Sequence, residues 1–494
     1  MALLGLGLWD IASLSIIALT LYLTTLALYN LTLHPLASYP GPLLMRTTRL
    51  PYCLALLRGT LPFDILTLHQ KYGPVVRVAP DELAFADASA WKEIMGHQKG
   101  GGEPFEKNMK FYRPFDFLPV DIISAPREEH GLLRRTMAHG FSERSMREQQ
   151  PIIKEYVDLL VRRLRERSGG EEKVDIMAWY NYTTFDVIGD LAFGESFGCL
   201  ENSDYHPWVK AIFELARMGI VFQVLAQYPL LMKLVFALIP KRLMQEREHH
   251  MELTKAKLRR RMEAGKERSD LVEGLLQKKE EWGLTLDKLQ ANSSILIIGG
   301  SETTATLLSG VTFLLLTNRT ALDKLTAEIR GTFKSEDEID FVSVSSMPYL
   351  LACLEEALRM YPPVPTGLPR VVPAGGATVC GNYVPEKTIV AVHQWAMYHN
   401  ETHFKEPFSY HPERWLGDPA FASDNKEAFQ PFHIGPRNCL GRNLAYIEMR
   451  IILARVLWNF DMRIAEESLD WMSKQRVFNF WEKGSLYVQL TPVR

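Results

Sequence analysis

The residue best suited to chemistry is Cys439, which lies in the segment FHIGPRNCLG at 432–441. Apolar residues recur at three- and four-residue spacing directly after it, which predicts a helix with one apolar stripe: Leu440, Leu444, Ile447, Ile451, Ala454 and Trp458. A thiol at the start of a helix meets unpaired backbone N–H groups and the positive end of the helix dipole. Both lower its pKa, so the pattern predicts a thiolate at Cys439.

The neighbours of Cys439 indicate what this thiolate would bind. Gly435 and Gly441 let the backbone bend tightly beside a large flat group, and Phe432 would keep water off the sulfur. Arg437 offers a forked cation to a carboxylate. These features suit haem, with its iron bound by Cys439 and a propionate bound by Arg437. The alternative is a structural cysteine in a turn. Free thiols are expected at the other cysteines, Cys53, Cys199, Cys353 and Cys380.

The segment around Cys439 resembles the signature of the haem–thiolate monooxygenases, the cytochromes P-450. Further motifs follow in that family's order after the first 45 residues. Glu356 and Arg359 are similar to its Glu-x-x-Arg helix motif, and Arg414 resembles the arginine that joins this pair. By resemblance these three residues are structural and hold the haem-binding core together. The likeness is strongest to membrane-bound microsomal members from filamentous fungi.

The resemblance also implies contacts with the haem. His130 and Arg134 are similar to two residues of one helix that donate hydrogen bonds to the haem propionates in that family. Many members have a tryptophan at the position of His130. Arg370 occupies another position that contacts a propionate, and Gly300 lies in the oxygen-activating turn of the long central helix. The resemblance thus assigns cofactor binding to Cys439, Arg437, Phe432, Gly441, His130, Arg134, Arg370 and Gly300.

The oxygen-activating turn, GGSETT at 299–304, places an acid and hydroxyls in an apolar helical stretch. Burying such groups needs a reason. The structural alternative is a Thr303 hydroxyl bonded to the Gly299 carbonyl. Because successive glycines weaken a helix by about 1 kcal/mol each relative to alanine, we expect this turn to open and admit dioxygen and a water. The catalytic residues are then Thr303, which hydrogen-bonds the oxygen, and Glu302, which relays protons.

The resemblance implies a mainly α-helical fold with small β-sheets, a single large domain behind an N-terminal transmembrane helix. The implied activity is insertion of one oxygen atom into a hydrophobic small molecule, by hydroxylation or epoxidation, in fungal secondary metabolism. The implied cofactor is haem b and the co-substrate is O2. No Gly-rich dinucleotide fingerprint follows a predicted strand. NADPH therefore acts through a separate flavoprotein reductase, with cytochrome b5 as a further candidate donor.

Two other functions are compatible with the sequence. A haem–thiolate isomerase or dehydratase would keep the fold and need no electrons, although such members tend to lose the acid–threonine pair retained here at Glu302 and Thr303. A non-catalytic haem sensor or carrier would need no proton relay. Consumption of NADPH with added reductase distinguishes both from a monooxygenase.

A membrane anchor is predicted at the N-terminus, because residues 11–33 contain no charge. As a helix they span about 34 Å, enough for a hydrocarbon core of about 30 Å. Basic residues follow the span at Arg46, Arg49 and Arg58, which predicts a body on the cytosolic side; a signal peptide is the alternative. We expect an anchor at 1–33, a proline-rich hinge at 34–45 and a monooxygenase domain at 46–494, single-pass in the endoplasmic reticulum membrane.

Length and charge are consistent with this interpretation. At about 150 residues per domain, 494 residues would allow three domains, but residues expected at one haem run from 130 to 439, so we expect one. A net charge of −2 argues against a nucleic-acid partner.

Helical patterns cover 150–168, 207–265, 285–333, 346–360 and 440–460. Strands are predicted near Val75–Ala79, Leu83–Phe85, Ala377–Val379, Thr388–His393 and Ser485–Gln489.

The expected partners are the lipid bilayer, a lipophilic substrate and the reductase. By resemblance, substrate contacts come from 97–123, 205–245, the stretch before Gly299, Val364–Leu368 and Phe478–Trp481. The reductase should dock on a basic face on the Cys439 side. Its candidate members are Arg127, Arg134, Arg135, Arg437 and Arg442.

Overall fold

The computed structural model describes residues 7–98, 102–115, 118–170, 172–238, 255–263 and 270–493. The chain begins with a long apolar helix and continues through short helices into two strands: α1 (Leu8–Thr32), α2 (Leu43–Thr47), α3 (Leu50–Arg58), α4 (Leu61–Tyr72), β1 (Val75–Ala79) and β2 (Glu82–Phe85). Mostly helical elements follow: β3 (Glu106–Lys107), α5 (Met109–Tyr112), α6 (Arg127–Ala138), α7 (Glu143–Arg165), β4 (Lys173–Asp175), α8 (Ile176–Phe193), α9 (Cys199–Asn202), α10 (Pro207–Leu225), α11 (Pro229–Leu238) and α12 (255–263).

The second half contains the longest helix and most of the strands. Its helices are α13 (Glu273–Gln277), α14 (Leu286–Thr317), α15 (Arg319–Thr332), α16 (Pro348–Met360), α17 (Gln394–Tyr398) and α18 (Arg442–Asn459). Its strands are β5 (Arg370–Val371), β6 (Ala377–Val379), β7 (Asn382–Val384), β8 (Ile389–Val392), β9 (Phe460–Ile464), β10 (Arg476–Phe478), β11 (Phe480–Glu482) and β12 (Tyr487–Pro492). The mainly helical fold with small sheets is confirmed.

The sheets are small and join distant parts of the chain. The largest has the order β1-β2-β8-β5-β3, in which β2 and β8 run parallel and the other pairs are antiparallel. A three-stranded sheet, β4-β12-β9, brings the C-terminus against α8. Two hairpins, β6–β7 and β10–β11, complete the set among the described residues. Because β3 and β5 are neighbours, a segment near residue 107 meets one near residue 370.

Helix α14 forms the centre of the core and packs against α8, α16 and α18. Its most extensive contact is with α8, where a Cβ on Gly300 would lie 2.7 Å from the Ile188 Cδ1 atom. Gly300 is therefore needed for helix packing at this position. Its predicted contact with the cofactor stays a prediction.

Several helix boundaries differ from the sequence patterns. The 207–265 pattern is divided where α11 starts at Pro229, and the 285–333 pattern is interrupted at Asn318. Helix α8 was not predicted, because nearly all its residues are buried and no polar stripe marks a period. Helix α18 starts at Arg442 and is buried on most sides, so the predicted single stripe was wrong.

Helix α1 is long and apolar enough to cross a membrane: residues Trp9–Thr32 have a mean hydropathy of 2.0 and none of the window is buried. Helix α14 meets the same criteria of length and composition, but 67% of its most apolar window is buried. It is accordingly a core helix. The predicted anchor therefore corresponds to α1, the exposed one of these two helices.

Arg77 ties the end of α1 to the body of the protein. The residue is fully buried in β1, and its Nη1 atom donates to the Asn30 carbonyl at 2.7 Å and the Leu36 carbonyl at 3.2 Å. Its Nε and Nη2 atoms donate to the Pro80 carbonyl at 3.0 and 2.7 Å. A cation at the C-terminal end of a helix is also favoured by the helix dipole. The predicted hinge is thus fastened to β1 on one side.

We predict that Arg77→Met lowers the free energy of unfolding by about 2–5 kcal/mol, because it leaves buried carbonyl groups without donors. Urea unfolding of the full chain in detergent micelles measures this loss. Limited proteolysis should also cut within 33–42 faster in this variant. The control is Arg58→Met, at an exposed arginine in α3. Equal unfolding midpoints and cleavage rates for the two variants would contradict the role given to Arg77.

Candidate functional site

The loop that carries Cys439 folds back on itself before α18 begins. The Cys439 N–H donates to the Phe432 carbonyl at 2.9 Å, and the Asn438 N–H donates to the Gly435 carbonyl at 3.2 Å. Gly435 has a φ of 78°, and a side chain there would collide with the Met95 carbonyl. Glycine is therefore required at 435, as predicted. The fold-back fixes the backbone on both sides of the thiol.

Cys439 is the exposed one of the five cysteines. Protein still surrounds the thiol on most sides, and this burial raises its pKa, against smaller opposing effects of the Gly441 N–H, Arg134 and Arg442. This burial opposes the predicted lowering of the pKa by the helix end, and α18 itself starts only at Arg442. A bound metal would be needed to hold the thiolate. Gly441 itself has a φ of −84°, which does not require glycine.

Five basic side chains gather beside this loop, and we call them the cationic cluster: Lys107, His130, Arg134, Arg370 and Arg437. The pairing of β3 with β5 sets Lys107 directly opposite Arg370. Like charges directly opposite each other destabilise a sheet. His130 and Arg134 come from one helix, α6, and Arg437 comes from the Cys439 loop. The fold thus brings positive charge together from four segments.

The cluster members perturb one another strongly. Burial, and then Arg370 and Arg437, lower the pKa of Lys107 to about 6. Burial, followed by Arg437 and the other members, lowers the pKa of His130 to about 4. No carboxylate in the described ranges forms a salt bridge with any of the five. Within the described protein the carboxylates that offset their charge act from beyond contact distance, Asp121 on Lys107 and Glu106 on Arg437.

The cluster's hydrogen bonds go to neutral oxygens instead. Arg437 donates from Nη1 and Nη2 to the Ala125 carbonyl, both at 3.0 Å. Arg370 donates to the Tyr112 hydroxyl at 2.7 Å, and Lys107 donates to a backbone carbonyl at 2.5 Å. Arg134 donates to the Asn438 carbonyl at 2.7 Å, next to the thiol. A ligand with two carboxylates, placed between the cluster and Cys439, would supply the missing negative charge.

Sequence reasoning missed Lys107, Tyr112 and His433 at this site. His433 is half-buried with a φ of 56°, its ring lies 4.9 Å from that of Trp91, and its buried Nε2 atom has no hydrogen-bond partner among the described residues. Burial, then Arg370 and Lys107, lower the pKa of His433 to about 3. His433 follows Phe432 in the signature segment, so its place in the sequence could have indicated that it lies at this site. Nothing local marked Lys107 or Tyr112.

One face of α14 is open in front of the glycine pair. A Cβ on Gly299 would meet nothing within 4 Å, and Thr303 lies one turn further on the same face. The Thr303 hydroxyl donates to the Gly299 carbonyl at 2.7 Å, and α14 is helical throughout 286–317. The expected opening of this turn is not observed, because the local hydroxyl bond and packing against α8 maintain the helix. Thr303 nevertheless borders open space.

Glu302 faces away from Thr303, towards the C-terminal hairpin. Its carboxylate is buried and forms an ion pair with Lys483, which follows β11. Lys483 also donates to the Thr306 hydroxyl at 2.6 Å. A further buried acid, Glu448 on α18, lies next to Thr304, and burial raises its pKa to about 8. Sequence reasoning missed both Lys483 and Glu448.

The three predicted structural residues do meet. Both oxygens of Glu356, which is fully buried, accept hydrogen bonds from Arg359 at 2.8 and 2.9 Å and from Arg414 at 3.1 Å. The Trp415 indole N–H adds a bond at 2.9 Å. Arg414 also pairs with the buried carboxylate of Asp424. These contacts join α16 to the 412–416 turn and leave the charges compensated.

The chain shares its sequence pattern with a known protein family. The family description "Cytochrome P-450" matches residues 46–485. The chain belongs to the cytochrome P-450 family. It is 46% identical over 477 residues to the cytochrome P-450 monooxygenase prhB of Penicillium brasilianum, with 97% of each chain covered. It is 47% identical over 506 residues to the monooxygenase tpeC of Talaromyces stipitatus, with 100% of this chain and 97% of that one covered.

The trichothecene C-15 hydroxylase of Fusarium sporotrichioides is 43% identical over 492 residues, with 98% of this chain and 99% of that one covered. The protein is thus a haem–thiolate monooxygenase, and the likeness to fungal members is confirmed. Cytochromes P-450 use haem and O2, with electrons that a reductase supplies.

The residues around Cys439 fit this haem. An accessible thiol lies beside basic groups that bond only to neutral oxygens, and the His433 Nε2 atom is buried without a partner in the described chain. Cys439 would hold the iron, and the cationic cluster would hold the propionates. When bound, haem supplies oxygen activation, which a thiolate ligand promotes by donating electron density to the iron. Phe432, whose carbonyl holds the Cys439 N–H, packs its ring 5.1 Å from Tyr446.

The predicted substrate segments are described only in part, because 99–101, 116–117 and 239–245 lie outside the described residues. At the C-terminal segment, the Trp481 indole stacks on Tyr361 at 4.3 Å and donates to the Pro362 carbonyl at 2.7 Å. Trp481 is thereby fixed against the end of α16. Phe478 is buried one strand earlier.

We predict that Glu356→Ala lowers the free energy of unfolding by about 3–5 kcal/mol, because it leaves two buried guanidinium groups without their carboxylate. The purified variant should contain little haem, measured as haem per polypeptide by absorbance. The matched control is Glu401→Ala, at an exposed acid. A variant at 356 with full stability and a full haem complement would show that the three residues do not support the core.

Proposed function

We propose that this cytochrome P-450 inserts one atom of O2 into a hydrophobic small molecule, by hydroxylation or epoxidation, in fungal secondary metabolism. The observation that carries the proposal is the accessible Cys439 thiol beside a cationic cluster that bonds only to neutral oxygens. The open face of α14 at Gly299 and Thr303 gives room for oxygen. Its relatives include fungal monooxygenases and a trichothecene hydroxylase, which supports this substrate class.

Thr303 and Glu302 are the proposed catalytic residues. Thr303 would exchange its bond to the Gly299 carbonyl for one to dioxygen, at the open face of the helix. Glu302 would relay protons from the other face of the same turn. Its Oε2 atom supports this role, because it is buried and lacks a hydrogen-bond partner among the described residues.

We propose haem b as the cofactor and NADPH as the electron source, through a separate flavoprotein reductase, with cytochrome b5 as a further donor. Two of the predicted docking arginines, Arg134 and Arg437, donate to backbone carbonyls at the cluster. Arg127, Arg135 and Arg442 are exposed. These three residues form the better candidate surface for an acidic partner.

We propose the endoplasmic reticulum membrane as the location, with the catalytic domain in the cytosol. Exposed leucines support contact with lipid beyond α1, on α2 at Leu43 and Leu44 and on α11 at Leu230, Leu231 and Leu234. Helix α2 packs against α1, so its leucines continue the apolar surface of the anchor. Apolar surface of this kind is favourable at the edge of a bilayer.

The first test examines the ligand and the activity together. The full chain with haem should give the thiolate-type absorption band when reduced and bound by CO, and Cys439→His should abolish it. The wild type, with reductase and NADPH, should convert components of a host metabolite extract to products that are one oxygen heavier. Cys380→Ser, at the half-buried cysteine, is the control and should match the wild type. An unchanged band in Cys439→His would refute the ligand assignment.

We also predict that Thr303→Ala releases more hydrogen peroxide per NADPH consumed, because oxygen loses a hydrogen-bond donor. Removing one such donor commonly lowers rates by about 10²–10³-fold. Thr317→Ala is the matched control, since the Thr317 hydroxyl makes the same kind of bond to the Phe313 carbonyl at 2.9 Å near the end of α14. Equal peroxide yields from wild type and Thr303→Ala would rule out the proposed role.

A further inference from the structure

The ion pair between Glu302 and Lys483 is one of the most buried in the described chain, with side chains 6% and 4% exposed. Glu302 lies in the middle of α14, whereas Lys483 lies just after β11, 181 residues later. A lone lysine or glutamate is almost never this deeply buried. The two charges can share this environment only because they compensate each other.

The pair has a defined orientation. Glu302 binds Lys483 through Oε1, and Thr306, one turn further along α14, accepts a second bond from the ammonium at 2.6 Å. Oε2 is buried and has no partner among the residues described. One carboxylate oxygen is therefore fixed by the hairpin, while the other is left to exchange protons.

Two other ionisable groups close to Glu302 are neutral tyrosines, Tyr205 and Tyr361, and burial raises the pKa of Tyr205, with a smaller contribution from Glu302. Burial, and then the Glu302 carboxylate, raise the pKa of Tyr361 well above its usual value. The Tyr361 hydroxyl is bonded to Gln475. Within the described chain, Lys483 is the cation that contacts Glu302 and compensates its charge.

We propose that Lys483 is a positioning residue for proton delivery: its ammonium keeps Glu302 ionised and fixes the carboxylate to the β10–β11 hairpin. An opposite charge at contact distance favours the ionised form of a carboxylate. Without Lys483 the buried acid retains its proton and donates it more slowly. The proposal rests on the relay role given to Glu302 under the proposed function.

The protonation state of Glu302 can be read without turnover. The infrared difference spectrum between the wild type and Glu302→Gln should show loss of an ionised carboxylate. In a Lys483→Met background the same substitution should remove the C=O band of a protonated acid. Because Glu448 is present in all four proteins, its own band cancels. A protonated Glu302 in the wild type would overturn the proposal, and this result does not depend on whether Lys483→Met folds.

The functional test measures hydrogen peroxide released per NADPH by the full chain with haem and reductase, without organic substrate, so that no substrate identity is needed. Relay catalysis is worth about 10²–10⁴-fold in rate, so Lys483→Met should divert most electrons from water to peroxide. Lys483→Arg, which restores the charge, should recover most of the wild-type yield. Lys474→Met, which breaks an exposed pair with Asp470, is the control and should change nothing.

The variants separate two kinds of failure. If Glu302→Gln raises the peroxide yield and Lys483→Met does not, the relay stands and the role of Lys483 is wrong. If Glu302→Gln leaves the yield unchanged, the relay assignment itself fails, and the proposal fails with it. If arginine at 483 rescues no better than methionine, the charge of Lys483 is not what matters, which also overturns the proposal.

Discussion

The crowding of basic side chains beside Cys439 is the constraint on which the rest of the site depends. Lys107 and Arg370 stand opposite each other in a sheet, with Arg437, His130 and Arg134 close by, and the described chain offers them only neutral oxygens. A folded protein tolerates such an arrangement when a ligand brings the missing negative charge. The fold around the cluster therefore depends on haem for part of its stability, since a ligand that binds only the folded state stabilises that state.

Buried charge is compensated within the protein at two other ionic sites. Glu356 receives bonds from two arginines and an indole, so its site is complete within the protein. Glu302 and Lys483 also compensate each other, but one carboxylate oxygen has no partner among the described atoms. The molecule thus contains a closed network that supports the core, a paired acid with a free oxygen, and an open cluster that awaits an anion. The Glu302–Lys483 pair suits proton transfer, and the cationic cluster suits ligand binding, whereas the Glu356 network suits neither.

Sequence reasoning identified the parts of the site that are local in the chain. Cys439, Gly435 and the Glu356–Arg359 pair are encoded within a few residues, so spacing alone indicates them. Lys107 and Lys483 were missed because strand pairing and hairpin packing bring them in from far along the chain. Local rules also overestimated two effects. Desolvation opposes the helix end at Cys439, and the expected opening at Gly299 was prevented by a hydroxyl bond and by helix packing.

The fold was predicted best where polar and apolar residues alternate with a clear period. The pattern at 346–360 corresponds closely to α16. The strand at Val75–Ala79, in which every residue is buried, has no such alternation and was predicted to the residue from its β-branched residues and flanking prolines. Helix α8 escaped notice because burial on all sides removes the periodic contrast. The bond from Arg77 to Asn30 could not be foreseen either, since an arginine in a strand gives no sign that it will reach a helix end 47 residues earlier.

That bond has a consequence for preparing the enzyme in soluble form. Deleting the hydrophobic stretch up to residue 33 would remove the Asn30 carbonyl and leave a guanidinium nitrogen of Arg77 with one acceptor fewer inside the protein. The Asn30 side chain would be lost as well, and with it a bond to the Thr47 carbonyl at 2.9 Å. The end of α1 is therefore also the first part of the folded body. A shortened chain should begin at least one turn before Asn30, with its exposed leucines replaced by polar residues.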